Sequence, residues 1–137
     1  MRTSRRRGIL FIEACHSLLS EDGVLGIIID EGVLNLPSAK DVREFILSGF
    51  EILGVISLPE LAFMPYANVS TSIMLLRKKK RPSSRRIFFA KAEQVGRKPN
   101  GDDDVLHSFN GQSKENSDLP KILEHWNRHL SGETNIN

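Results

Sequence analysis

Three polar residues follow the most apolar stretch of the sequence. Asp30 and Glu31 come directly after residues 24–29, a run of Val, Leu, Gly and Ile, and Asn35 comes shortly afterwards. Such a run is typical of a strand buried in a parallel sheet, and ligands bind at the carboxyl ends of these strands in open α/β sheets. The three side chains are therefore candidates for ordering a loop beside a site, with a solvated or purely structural turn as the alternative.

Lysine and arginine are concentrated in two clusters, although the net charge is only +2. Through residue 86 the chain has thirteen Lys and Arg against nine Asp and Glu, and beyond it six against eight. Such clusters suit the phosphates of nucleic acid, or are simply solvated surface. The first cluster is Arg2, Arg5, Arg6 and Arg7; the second, which we predict to contact DNA phosphates, is Arg77, Lys78, Lys79, Lys80, Arg81, Arg85 and Arg86.

Several other chemistries have no support in the sequence. The single cysteine, Cys15, permits no disulfide within the chain, and no apolar run approaches the roughly 18 residues of a membrane-spanning helix. These features predict a cytoplasmic protein without a membrane span. The four histidines lack cysteine or carboxylate partners at metal-ligand spacing, and no serine has a recognisable base, so we expect neither a metal site nor a hydrolase triad.

The pattern of apolar residues predicts alternating helices and strands, which is typical of an α/β sheet. Ser38 is the expected N-cap of the second helix, and Asp118 that of the last. Predicted helices cover residues 9–19, a segment after Ser38, and 119–130; predicted strands cover 24–29, 51–58, 69–77 and 87–90. We expect three segments: a main part over residues 1–92, a polar loop segment over 93–118, and a C-terminal helix and tail over 119–137.

The predicted sheet is incomplete. Residues 24–29 are expected to have residues 51–58 as a parallel neighbour, with the antiparallel strand 69–77 beyond it. Nothing in the sequence supplies a strand for the other edge of residues 24–29, and an open apolar edge invites pairing with another chain. The sequence therefore predicts part of a larger sheet, completed by another polypeptide segment or by a second copy of this chain.

Several segments, in their order and spacing, resemble the N6-adenine DNA methylase family, which includes the modification subunits of type I restriction–modification systems. The match runs over most of residues 3–128. Its main segments are residues 9–13 (ILFIE), 27–35 (IIIDEGVLN), 42–45 (VREF), 52–60 (ILGVISLPE), 62–66 (AFMPY), 69–73 (VSTSI), 87–90 (IFFA) and 118–123 (DLPKIL).

The resemblance implies a partial Rossmann-like methyltransferase sheet. Residues 24–29 would be its fifth strand, and residues 51–58 and 69–77 an antiparallel hairpin at its edge, followed by the C-terminal helix. The glycine-rich cofactor loop and the Asn-Pro-Pro catalytic motif of the family do not occur in this sequence. We therefore expect S-adenosylmethionine to be the cofactor of the intact enzyme, and no cofactor binding or catalysis by this chain alone.

The resemblance also implies a role for two aromatic residues. A base that is modified must leave the duplex stack, and an aromatic ring can replace its lost stacking. Phe63 holds the matching position in the loop between the last two strands, with Tyr66 as the nearby alternative, unless both rings plug the end of the sheet. The expected partners are DNA, the missing N-terminal part of the methyltransferase, and the specificity and restriction subunits.

Two other functions stay open at this point. One is a non-enzymatic module, derived from such an enzyme, that binds DNA or a protein partner. The other is an independent small α/β enzyme of another family, which would need a convergent polar pocket that the sequence does not reveal.

Overall fold

The computed structural model describes residues 2–79 and 86–132, with side chains from Ile9 onward. It confirms a mixed α/β fold with a partial sheet and a C-terminal helix. In the described residues the helices are α1 (Arg2–Leu18), α2 (Glu31–Asn35), α3 (Lys40–Gly49) and α4 (Leu119–Ser131), and the strands are β1 (Val24–Asp30), β2 (Phe50–Ser57), β3 (Thr71–Lys78), β4 (Phe88–Lys91), β5 (Val105–His107) and β6 (Ser113–Glu115).

The strand order of the larger sheet is β1-β3-β2-β4. Strand β3 thus lies between β1 and β2, which corrects the prediction that β2 is the direct neighbour of β1. The amide of Asp22 donates to the carbonyl of Lys78 at 2.9 Å, and the amide of Lys78 donates to the carbonyl of Gly23 at 2.9 Å. Because the start of β1 meets the end of β3, the two strands run antiparallel. The Leu58 amide likewise donates to the Thr71 carbonyl at 2.9 Å, so β2 and β3 are antiparallel as well.

Strand β1 is covered on one face only within the described residues. Its exposure alternates, although its sequence does not: Val24 and Ile28 are 55% and 51% exposed, whereas Ile29 is buried. We expected both faces to be buried. The strand also stands at the end of the strand order, so no strand of the described chain pairs with its outer edge. In the part of the chain that the structure describes, an apolar face and an edge of β1 are therefore open.

The chain divides into two compact units, residues 1–55 with 72–87, and residues 56–71 with 88–137. The first unit has a continuous apolar core to which α1, α3 and strands β1 to β3 contribute: Ile12, Ile29, Ala39, Val42, Ile46, Phe50, Met74 and Leu76. His16 packs edge-on against the rings of Phe45 and Phe50, at 5.8 and 5.0 Å between centroids. A histidine therefore extends this core.

The second unit contains α4 and a small β-hairpin. Trp126 and His129 of α4 pack against Phe88 of β4, with ring centroids 5.4 and 5.6 Å away. Strands β5 and β6 pair antiparallel, with Leu106 opposite Lys114. The sequence predicted a polar loop segment over residues 93–118 and no strand within it, whereas β5 and β6 both lie there.

Candidate functional site

The polar residues after β1 lie on one strand-to-helix turn. Asp30 ends β1 and caps α2, a helix that the sequence analysis missed, because its Oδ1 accepts a hydrogen bond from the Gly32 amide at 2.7 Å. Glu31 and Asn35 are the first and last residues of α2. A carboxylate is well placed at a helix N-terminus, where it pairs with an otherwise unsatisfied N–H group. Asp30 thus has a structural role, while Asn35 is exposed.

The two predicted stacking residues lie in one tight turn of the second unit. Phe63 ends a 3-10 helix, Glu60–Phe63, and its carbonyl accepts hydrogen bonds from the amides of Tyr66 and Ala67, both at 2.9 Å. The Met64–Pro65 peptide bond within this turn is cis. We call residues 59–70 the aromatic loop. The two aromatic residues therefore lie in one turn that is held together by backbone hydrogen bonds.

The rings of the aromatic loop differ in accessibility. Tyr66 is 95% exposed, whereas Phe63 is half-buried. A ring that stacks on a base must present an open face, so accessibility favours Tyr66 over Phe63, the reverse of the order suggested by sequence. Periodicity carries no signal for this difference, because the loop has no regular repeat.

The described part of the basic segment is tied to the first unit. Lys78 Nζ donates to the carbonyls of His16 and Leu19, at 2.8 Å each, and so caps the end of α1. Arg86 is exposed. The predicted phosphate contacts Lys80, Arg81 and Arg85 lie outside the described residues.

A buried carboxylate that the sequence analysis did not single out lies beside this segment. The Glu51 side chain is only 3% exposed, and its Oε2 is 3.8 Å from Arg77 Nη1 and 3.5 Å from Lys79 Nζ. A buried charge is costly unless it is paired, so Glu51 requires nearby cations. The only available signal was an acidic residue at the start of an apolar strand. Arg77 and Lys79, each 24% exposed at the side chain, are thus oriented by Glu51.

Two kinds of feature are absent from the described residues. No group of three or more His, Cys, Asp or Glu side chains is arranged to hold a metal ion. None of the helices in these residues combines the length and apolar character needed to cross a membrane.

The sequence model of the N-6 DNA Methylase family matches residues 2–131, nearly the whole chain. The chain belongs to the N-6 DNA methylase family. No curated protein matches this methylase chain.

Solved structures similar to this methylase chain support its fold. A protein from Listeria monocytogenes, described as a class I S-adenosylmethionine-dependent methyltransferase, has 26% sequence identity and a TM-score of 0.52, with 61% of this chain and 26% of that one covered. A chain from Vibrio vulnificus YJ016, described as a modification subunit of a type I restriction enzyme, has 16% identity and a TM-score of 0.56, with 94% and 26% covered. A chain from a study of type I restriction–modification complex assembly has 18% identity and a TM-score of 0.58, with 91% and 25% covered. The methylase chain therefore spans about a quarter of each of these proteins.

Proposed function

We propose that this chain is the C-terminal part of the methyltransferase domain of a DNA adenine-N6 methyltransferase in a type I restriction–modification system. The intact enzyme transfers a methyl group from S-adenosylmethionine to the adenine amino group. The preceding part of the domain supplies the cofactor loop and the Asn-Pro-Pro motif, so the chain alone binds no S-adenosylmethionine. The family match, and the coverage of about a quarter of each similar structure, support this proposal.

The observation that carries the proposal is the exposed ring of Tyr66 in a hydrogen-bonded loop. An adenine extruded from the duplex loses its stacking partners, and an accessible aromatic face restores about 1–3 kcal/mol of that energy. Tyr66 provides this face in our proposal. Phe63, which is half-buried in the same turn, is the alternative stacking ring.

The basic segment supplies phosphate contacts in this proposal. Arg77, Lys79 and Arg86 act together with Lys80, Arg81 and Arg85, while Lys78 has already used two ammonium hydrogens on α1. The Glu51 carboxylate orients Arg77 and Lys79, and its negative charge partly offsets their attraction for phosphate. Asp30, Glu31 and Asn35 help to order the catalytic loop of the intact enzyme.

The proposed partners follow from the same assignment. They are DNA, the N-terminal part of the methyltransferase, and the specificity and restriction subunits, all within the cytoplasm. The rest of the sheet assembles on the open face and edge of β1. The alternative is that a second copy of this chain pairs with this edge.

The proposal is tested with the chain co-purified with the rest of the domain, by measuring transfer of labelled methyl groups from S-adenosylmethionine to adenine in DNA. Tyr66→Ala is expected to lower kcat/KM by about ten- to a hundredfold, the equivalent of one lost base stack. Phe109→Ala is the matched control, because Phe109 is also a fully exposed aromatic residue of the second unit. Equal activity of wild type and Tyr66→Ala contradicts the stacking assignment.

A second measurement separates enzyme fragment from binding module. Calorimetry of the chain alone with S-adenosylmethionine is expected to show no stoichiometric site. A micromolar site contradicts the proposed division of the domain. Salt-dependent DNA binding by a chain that never supports methyl transfer favours the non-enzymatic module instead.

A further inference from the structure

A second turn of the same unit, residues 97–103, is held together by polar contacts. Arg97 Nη1 donates to the Gly101 carbonyl at 3.1 Å and pairs with Asp103 Oδ1 at 3.1 Å. The Asn100 side chain donates to Asp102 Oδ2 at 2.7 Å and accepts the Asp102 amide at 3.1 Å. The acidic residues of this turn are therefore engaged in fixing its shape.

Gly101 brings this turn against the aromatic loop. Its φ of +92° is one that glycine adopts readily, and a Cβ built at this position would lie 3.0 Å from Cδ of Pro65. Real Cβ atoms are rarely so close to a neighbour, and the pyrrolidine ring of proline is stiff. Pro65 is next to Tyr66 and one residue removed from Phe63, so a displacement of Pro65 is transmitted directly to the turn that carries both rings.

We propose that residues 97–103 form a buttress for the aromatic loop, and that Gly101 is a positioning residue that fixes the direction of Tyr66 through Pro65. This inference rests on the proposed stacking role of the loop. A stacking ring contributes most when it is already oriented before the base arrives, because no conformational entropy is then lost on binding. Arg97 stabilises the buttress by donating a hydrogen bond to the Gly101 carbonyl.

The chain offers matched variants for testing this contact. Gly101→Ala combines the strain of a positive φ with a close approach to Pro65. Gly111→Ala has the same kind of strain, at a φ of +81°, but no atom lies within 4 Å of its new Cβ. Any effect of the first variant that exceeds the second therefore reports the contact. Arg97→Gln loosens the turn without adding backbone strain. Its control is Arg128→Gln, which removes a different exposed ion pair, that between Arg128 and Glu124.

The readout uses the fact that the chain contains a single tyrosine. In the full chain labelled with fluorotyrosine, fluorine NMR gives one signal, which reports the surroundings of Tyr66 alone. We expect Gly101→Ala and Arg97→Gln to shift or split this signal, and Gly111→Ala and Arg128→Gln to leave it in place. A signal that moves equally in Gly101→Ala and Gly111→Ala, or in neither, overturns the buttress.

A second readout connects the contact to the reaction. In the enzyme assembled with the rest of its domain, Gly101→Ala is expected to lower kcat/KM for methylation by about tenfold relative to Gly111→Ala, and to add little to Tyr66→Ala in the double variant. Fully additive losses overturn the positioning role. If Tyr66→Ala itself leaves methylation unchanged, the proposed function fails, whereas the NMR result still decides on the buttress.

Discussion

At the scale of single residues, Asp118 shows how a predicted cap can serve a different backbone segment. It lies at the N-cap position of α4, as expected, but its side chain makes no cap hydrogen bond. Its Oδ2 instead accepts the amides of Gln94 and Glu93, at 2.9 and 2.8 Å. These hydrogen bonds, chiefly that from Gln94, lower the pKa of Asp118 below its ordinary value of 3.8, with a smaller contribution from the charge of Lys121. The ionised carboxylate thus joins residues 93–94 to the start of α4.

This lowered pKa predicts a pH-dependent contribution to stability. Because the pKa of Asp118 is lower in the folded state, its contribution is present above the ordinary value of 3.8 and is lost as the pH falls through the folded-state pKa. Asp118→Asn should therefore lower the free energy of unfolding at pH 7, and the difference from wild type should shrink in acid. Denaturant titrations of both proteins at pH 7 and at an acidic pH below 3.8 measure this difference in the free energy of unfolding. A difference that is unchanged or larger in acid contradicts the assignment.

At the scale of elements, the apolar pattern located strands and long helices well, but not their arrangement. The predicted strands 24–29, 51–58 and 69–77 overlap β1, β2 and β3 closely. Their order could not be predicted, because the apolar pattern of a strand does not identify its neighbours. Short elements were missed for a local reason: α2 depends on a single side-chain cap.

The starts of helices and the exposure of site residues could not be predicted from the sequence either. Ser38 lies in the 3-10 helix Pro37–Ala39, and α3 begins at Lys40 without a side-chain cap. The family resemblance pointed to the aromatic loop but not to the ring that is open, because the exposure of Tyr66 and the half-burial of Phe63 depend on tertiary contacts. The buried pairing of Glu51 joins β2 to the end of β3, so it too follows from the sheet order.

The cap on α1 provides an element-scale prediction. Lys78→Met removes a charged group that donates to the carbonyls of His16 and Leu19, and should lower the free energy of unfolding by about 1–3 kcal/mol. Lys40→Met is the matched control, because its ion pair with Glu44 is largely exposed and should contribute at most about 0.5 kcal/mol. Denaturant unfolding of both variants gives the comparison. Similar losses in the two variants are the result that rejects the cap.

At the scale of the whole molecule, many large apolar side chains of this methylase chain are exposed. Helix α1 buries Ile12 in the core, but its other apolar residues Leu10, Phe11 and Leu18 are 61%, 60% and 87% exposed. Large apolar side chains that remain exposed on one helix are candidates for an interaction surface. Together with the open face of β1, they suit the proposed assembly with the rest of the methyltransferase domain.

This assignment of α1 predicts a separation of stability from assembly. A triple change of Leu10, Phe11 and Leu18 to Ser removes side chains that are already exposed, so the melting temperature should stay within a few degrees of wild type, because surface changes seldom exceed about 0.5 kcal/mol. Binding to the remainder of the domain, measured by co-purification and calorimetry, should fall by at least about a hundredfold, since three apolar anchors are lost.

The matched control for that variant changes Leu119, Leu123 and Leu130 of α4, which are 38%, 58% and 58% exposed, to Ser in the same way. Both variants lose three large apolar side chains from one helix, so nonspecific effects of reduced surface hydrophobicity are the same. If the remainder of the domain binds through α1, the α4 variant retains its affinity while the α1 variant does not. The opposite pattern would place the assembly surface on α4, and equal affinity of both variants and wild type would leave the exposed face of α1 without its proposed partner.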